Sequence, residues 1–264
     1  MKRIHLFEFE DQAWFPDWLR QRMLRLLQVL HRLLGTAQAL TPLLNRALQH
    51  SAHPALIDLC SGSGGPMLEA HARLRQQAGL EGVTLTLTDL YPNQALANQL
   101  RRQGDPAVVY LPQPVDATSV PPGLQGVRTM VSSLHHMKPR QARAILADAL
   151  EKKQALCVLE ISDNRFPIAL WWVALPFNLL TALLLAPLAR PLDWRLLVFT
   201  YLIPLIPICF AWDGAVSNAR TYTLEDLEKL LEGLQRENYR WEMGKIPGRS
   251  AKVYLLGLPQ QNRA

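Results

Sequence analysis

Apolar positions change their period three times along this chain. Residues 13–34, "AWFPDWLRQRMLRLLQVLHRLL", carry them at helical spacing: Phe15, Leu19, Met23, Leu26, Leu30 and Leu33. Arg20, Arg22, Arg25 and Arg32 fall largely off that stripe. The spacing predicts a helix with Pro16 in its first turn, where a missing N–H costs nothing. Two partners suit such a stripe. One is a protein core, which the segment alone favours. The other is the plane of a membrane, with Trp14, Phe15 and Trp18 at the interface.

From residue 55 the pattern becomes short apolar runs separated by helical stretches. "ALIDLC" (55–60), "VTLTLTD" (83–89), a run within "AVVYLPQPVD", "VRTMVSS" (127–133) and "ALCVLEIS" (155–162) read as five strands. Helices are predicted through "MLEAHARLRQQ", "NQALANQLRRQG" and "PRQARAILADALEKK", the second ending at Gly104. Near-continuous apolar strands alternating with helices imply a parallel sheet covered on both faces. Ligands of such sheets bind beyond the carboxyl ends of the strands. A last amphipathic helix follows in "TYTLEDLEKLLEGLQRENY", with Thr223 as N-cap and Asp226 three residues on. "RWEMGKI" and "KVYLLGL" then read as a closing antiparallel pair.

The third pattern interrupts the second. Residues 166–189 and 196–212 are uncharged runs of 24 and 17 residues, joined by "RPLDWR". As helices they would extend about 36 Å and about 25 Å, against a hydrocarbon core of about 30 Å. Pro167, Pro176, Pro187, Pro204 and Pro207 bend or break them. A two-span hairpin would carry Arg190 and Arg195 across the membrane, against the positive-inside tendency. A shallow hairpin in one leaflet, slightly favoured by the prolines, requires its loop charges to snorkel. An apolar soluble subdomain or oligomer interface is the third reading, and it would have to bury both runs on all sides. The predicted organisation is a helical segment 1–52, a sheet core 53–165, an apolar insertion 166–212 and a completion of the core over 213–264.

Composition narrows this little. The chain is 49% hydrophobic and 19% charged, and its 28 Lys+Arg against 22 Asp+Glu give a net charge of +6. The excess suits an anionic surface, but basic residues are not clustered with aromatics, which reads against nucleic acid. Cys60, Cys157 and Cys209 sit in apolar or tight-turn contexts without metal-ligand spacing. They read as reduced thiols of a cytosol-facing protein, with no metal expected. The acidic "MKRIHLFEFEDQAW" is unlike a secretory leader.

Candidate chemistry follows the strands. "DLCSGSGG" (58–65) ends one and opens a helix, and Gly62 and Gly64 let backbone approach a ligand. Asp89 ends the next strand, where a carboxylate can accept both hydroxyls of a ribose. Asp116, in "PVDATSVP", ends the third segment, where it could meet an adenine amino group. In this order the motifs resemble the class I S-adenosylmethionine-dependent methyltransferases, over residues 53–165 and again over 213–258. The resemblance implies an α/β Rossmann-like doubly wound sheet and S-adenosylmethionine as methyl donor, leaving as S-adenosylhomocysteine. It places Asp58, Gly62 and Gly64 at the methionine moiety, Asp89 at the ribose and Asp116 at the adenine, with Cys60, Leu90, Ala117 and Ser132 among the cofactor contacts. Ser132, Ser133, Leu134 and His135 would face cofactor and acceptor. Where this family usually has glycine, this chain has Cys60. A nucleotide-binding domain of another kind would want a longer glycine signature.

Methyl transfer needs a base only when the acceptor must lose a proton. His135 and His136, in "SSLHHMKP", are the first candidates, unless one caps the next helix and the other bonds within the loop. "WDGAVSNARTY" (212–222) suggests a substrate-facing lip of Asp213, Ser217, Arg220 and Tyr222, with Asp213 as second base candidate. Ordinary capping, with Arg220 paired to a carboxylate, is the competing account. "SDNR" (162–165), with Asp163 and Arg165, would form the opposite lip. The expectation is a membrane-associated methyltransferase facing the cytoplasm, acting on a small or lipid-soluble acceptor. A membrane-anchored enzyme for a polar amine, imidazole or thiol and a non-catalytic cofactor-binding scaffold are the alternatives. Oligomerisation stays open.

Overall fold

The structure is a computed structural model describing residues 1, 3–164, 167–248 and 251–260. In chain order the helices are α1 (Asp17–Leu33), α2 (Thr36–Leu48), α3 (Gly65–Leu74), α4 (Gln94–Gln103), α5 (Pro139–Glu151), α6 (Ala174–Leu185), α7 (Trp194–Leu197), α8 (Leu205–Arg220) and α9 (Leu224–Leu231). The strands are β1 (Ala55–Asp58), β2 (Thr84–Leu87), β3 (Val108–Tyr110), β4 (Val127–Val131), β5 (Leu156–Glu160), β6 (Tyr239–Ile246) and β7 (Lys252–Pro259). They form two compact units: residues 1–34 with 162–223, and residues 35–161 with 224–264. The predicted boundaries differ at the N-terminal segment, whose first helix belongs with the insertion and whose second belongs with the sheet, and at residues 162–164 and 213–223, which belong with the insertion and not with the core.

The sheet unit is an α/β, Rossmann-like doubly wound fold. Its seven strands lie in the order β3-β2-β1-β4-β5-β7-β6. The first five are parallel, and β7 runs antiparallel to both β5 and β6. All five predicted parallel strands and the closing pair are present. Leu56, Leu85, Leu87, Cys157, Leu159 and Leu256 meet Leu40 and Leu44 of α2 and Met67, Ala70 and Leu74 of α3 in one core cluster. Helix α5 packs against α9 and β7. Helix α4 stops where Gly104 turns left-handed, φ 71°, as its sequence implies. Strand order reverses between β1 and β4, so the crevice beyond their carboxyl ends is the fold's natural ligand position.

In the insertion unit, α1 buries Phe15, Leu19, Met23, Leu26 and Val29 against Ala182, Leu185, Ala186, Ala189, Leu196, Ile206, Cys209 and Phe210. Its stripe therefore finds a protein partner, but that partner is the apolar insertion. The run Ile168–Leu188 is long and apolar enough to cross a membrane by length and composition, a test that core helices of soluble proteins also pass. The expected second arm is not one helix. Trp194–Leu202 and Leu205–Arg220 meet at 78°, broken at Ile203 and Pro204. Proline cannot donate to the preceding turn, which accounts for the elbow.

Candidate active site

In the sheet unit the turn after β1 is held by the strands beside it. Thr129 of β4 donates its hydroxyl to Asp58 Oδ1 at 2.6 Å, and Thr88 donates its hydroxyl to the Asp58 carbonyl at 2.8 Å. Ser61 donates to the same carbonyl at 2.9 Å and accepts from the Thr88 N–H at 3.1 Å. Asp58 is thereby fixed at the β1/β4 switch point, 3% exposed. Burial pushes its carboxyl up to about 7, against the pull of hydrogen bonds from Thr129 and Ser61.

The following backbone is left-handed at Cys60 (φ 58°), Gly62 (51°), Gly64 (76°) and Gly65 (35°). Two of these glycines do different jobs. A Cβ on Gly64 would meet Leu68 Cδ1 at 3.0 Å, so the turn packs tightly on α3. A Cβ on Gly62 would meet nothing within 4 Å, which leaves its Cα side uncovered. Cys60 keeps the glycine-like conformation despite its side chain, a backbone cost of about 1–2 kcal/mol. Burial, then Asp89, Asp58 and Asp116, push its thiol up to about 12. The thiol is thus neutral at physiological pH and within electrostatic reach of the three acids expected to contact a cofactor.

Asp89 lies just past β2. Its Oδ2 accepts the Gly62 N–H at 2.9 Å and its Oδ1 accepts the Tyr91 N–H at 2.9 Å, while Leu90 beside it is exposed. Tyr110, at the end of β3, donates its hydroxyl to the Gly62 carbonyl at 3.3 Å. Exposed Asp116 holds a turn by accepting the Thr118 N–H at 2.8 Å and hydroxyl at 2.7 Å. Ala117 beside it is buried. Ser132 ends β4 in a left-handed conformation, φ 51°, with its N–H donated to Leu159 at 2.8 Å.

Beyond β4, His135 stacks on His136 with ring centroids 4.3 Å apart. The partner sequence reading missed is Glu160, the last residue of β5 and 4% exposed. Its Oε2 lies 2.8 Å from His135 Nδ1, and its Oε1 accepts the His135 N–H at 3.2 Å. Burial works to raise the Glu160 carboxyl, but the charge and hydrogen bonds of His135, with His136 adding charge, hold it below the ordinary carboxylate value. In the neutral ring, a carboxylate at Nδ1 favours the Nδ1–H tautomer and leaves Nε2 as the nitrogen that can accept a proton. A carboxylate ending a buried strand in "VLEIS" was the available signal.

The expected lips are built differently. Residues 212–220 are the end of α8, and Asp213, Ser217 and Arg220 follow one another at helical spacing. Both Asp213 carboxylate oxygens accept backbone N–H groups, from Phe9 at 2.7 Å and Glu10 at 3.1 Å, so its role in the insertion unit is to anchor the N-terminal segment. Arg220 pairs with Glu8 at 2.9 Å and Asp11 at 3.0 Å and donates to the Leu6 carbonyl at 3.0 Å, the competing account of that residue. The Ser217 carbonyl accepts the Thr221 hydroxyl at 2.9 Å. Tyr222 is 1% exposed, with the Arg3 guanidinium 3.6 Å from its ring centre. Asp163 is buried, and Arg165 lies outside the described residues. A substrate lip needs side chains turned outward, and those of Asp163, Asp213, Arg220 and Tyr222 are buried.

No protein-family model matches the chain, and no curated protein matches it in sequence. Solved structures of similar fold include an O-methyltransferase family protein from Burkholderia thailandensis, 14% identical, covering 86% of this chain and 57% of that one with a TM-score of 0.49. The mitomycin 7-O-methyltransferase is 15% identical over 92% of this chain and 55% of its own, TM-score 0.47. Human N-acetylserotonin methyltransferase, solved with S-adenosylmethionine, is 12% identical over 86% and 56%, TM-score 0.45. The chain spans just over half the length of these three proteins. Likeness at this level carries nothing about residues or substrates, and the fold rests on the observed strand order.

Proposed function

We propose that this chain is an S-adenosylmethionine-dependent methyltransferase acting on a small or lipid-soluble acceptor at the cytoplasmic face of a membrane. The observation that carries the reading is the turn from Asp58 to Gly64, whose Gly62 N–H bonds Asp89 at 2.9 Å while the Asp89 carbonyl accepts the N–H of Val115, next to Asp116, at 2.9 Å. The donor set suits the cofactor. Asp58 would receive the methionine ammonium, Asp89 the ribose hydroxyls and Asp116 the adenine amino group, with Cys60, Gly62 and Gly64 shaping the turn. When bound, the cofactor supplies an electrophilic methyl group on sulfur. The chain's remaining task is to position an acceptor in line and accept its proton. His135 Nε2, its ring oriented by Glu160, is the base for a hydroxyl acceptor. That arrangement favours an acceptor with a removable proton over an already nucleophilic amine or thiol.

Calorimetric titration with S-adenosylmethionine tests the binding half. Asp89→Ala should weaken affinity by about 1–3 kcal/mol through loss of charge-assisted hydrogen bonds. Unchanged affinity would remove Asp89 from the ribose site. The membrane half draws support from the exposed apolar surface of the insertion unit.

A further inference from the structure

The membrane reading leaves open how the apolar insertion meets lipid: across the bilayer, or along one face. The geometry points to the second, an insertion that lies flat in a single leaflet with both its ends at headgroup level. This rests on the membrane reading proposed above and deepens it.

Depth comes first. The run Ile168–Leu188 has Asn178 at its midpoint. Asn178 donates to the Ala211 carbonyl at 3.5 Å and sits against Gly214, on either side of Asp213. Asp213 in turn binds the N–H of Glu10, whose carbonyl accepts from Arg20 at 3.1 Å. Asp213 and Arg20 therefore stand at the level of the middle of the apolar run, across α8 from it. Set perpendicular to the membrane, the run would carry them to the bilayer centre, where charges are most costly.

The far end is charged as well, and it is close. From Asn178 to Leu188 is about 16 Å along the helix, half of a hydrocarbon core of about 30 Å. Just beyond it, Asp193 caps α7 and is gripped by Arg22 at 3.0 Å and Arg25 at 2.8 Å. Arg20, which holds Glu10, and Arg25, which holds the loop, are five residues apart on α1, a rise of about 7.5 Å. One stretch of one helix thus grips both the segment bound to Asp213 and the loop. A loop on the opposite side of the bilayer is incompatible with that grip.

The outward face fits a flat orientation. Leu170, Val173, Phe177, Leu180, Leu184 and Leu188 are 46, 38, 67, 54, 65 and 52% exposed. Within α6 the spacing of three and four residues puts Phe177, Leu180 and Leu184 on one side, away from Ala182 and Leu185, which α1 covers. The 78° elbow adds Leu202 and Ile203, 79 and 53% exposed. Exposed Arg190 and Arg195 flank the loop, with Arg195 over the ring of exposed Trp194 at 5.4 Å. Aromatic rings and arginines at the rim of an apolar stripe match an anionic leaflet, the ring at the interface and the cations among phosphates. A second copy of this chain would have to oppose those like charges.

The test uses the full chain added to preformed phosphatidylcholine–phosphatidylglycerol vesicles. Flotation should recover the protein with the vesicles. Leu180→Asp with Leu184→Asp should reduce recovery about tenfold or more. Because that variant could misfold, Arg190→Glu with Arg195→Glu serves as a second, surface-only change, and it should weaken binding to anionic vesicles. Arg195→Cys, bound to vesicles, should react fully with a membrane-impermeant maleimide before detergent is added, above the background of the three native cysteines. Protection until lysis would overturn the flat orientation while leaving membrane association standing. Failure to float, with self-association through the apolar face, would overturn both. Flotation without any binding of S-adenosylmethionine would leave this inference intact and remove the proposed reaction.

Discussion

The two units spend their apolar residues in opposite ways. In the sheet unit Leu56, Leu85, Leu87 and Leu256 are at most 1% exposed, because helices cover the strands. In the insertion unit α6 buries Ala182 and Leu185 alone among its twelve residues. Charge follows the same division. Arg128 in the sheet unit is 1% exposed and bonds Asp148 at 2.6 Å, whereas Asp193 keeps 27% of its side chain exposed among its arginines. One unit is a closed core with an acidic turn at its edge, and the other leaves much of its apolar surface exposed.

That contrast can be broken by substitution. Asp148→Ala, which strands Arg128 and removes the partner of Lys152, should destabilise the sheet unit by about 3–5 kcal/mol in urea. Asp193→Ala, at a partly solvated site, should cost about 1 kcal/mol. Equal losses would erase the distinction.

His135→Ala should cost about 1–3 kcal/mol near neutrality by leaving Glu160 buried without its ring partner. Here the pH sign is diagnostic. The depressed Glu160 carboxyl adds stability above its ordinary value of 4.5, and this is lost as pH falls through its lower folded value. Without His135, burial would raise it, so the variant should gain stability on acidification. Urea melts at acidic and neutral pH distinguish the two slopes.

Asp58 behaves oppositely from the start. Raised to about 7 from 3.8, its neutral form favours the folded state fully below the lower value, an advantage lost as pH rises through the upper one. An ammonium beside it would favour the charged form. Affinity for S-adenosylmethionine should therefore rise toward pH 7 and then level off, and Asp58→Asn should flatten the profile in calorimetry. The smallest effect belongs to the insertion. Leu184→Ser, on the outward stripe, should change thermal stability in detergent by at most about 0.5 kcal/mol. A larger loss would mean that the stripe is covered by protein.

Periodicity made the sheet legible, since strands buried on both faces leave unbroken apolar runs with glycine or acid at their ends. Asp58, Gly62, Asp89 and Asp116 were visible for that reason, and the structure brings them together. Glu160 was not. Its bond to His135 spans 25 residues, and in "VLEIS" it looks like the polar end of a strand. Residues 212–222 misled because polar density suggested a substrate-facing lip, when Asp213, Ser217 and Arg220 already carried a helical period. The stripe on α1 announced a buried face without naming its cover. Pairing between elements far apart in the chain leaves no local mark on either.

That cover also sets an order of events during synthesis. Phe15 to Val29 leave the ribosome well before the residues that shield them, which lie between 182 and 210. At about 5–20 residues per second, the greasy side of the first helix waits on the order of ten seconds or longer for its lid. Through that interval the nascent chain presents a bare apolar stripe that a chaperone or a nearby membrane can bind first.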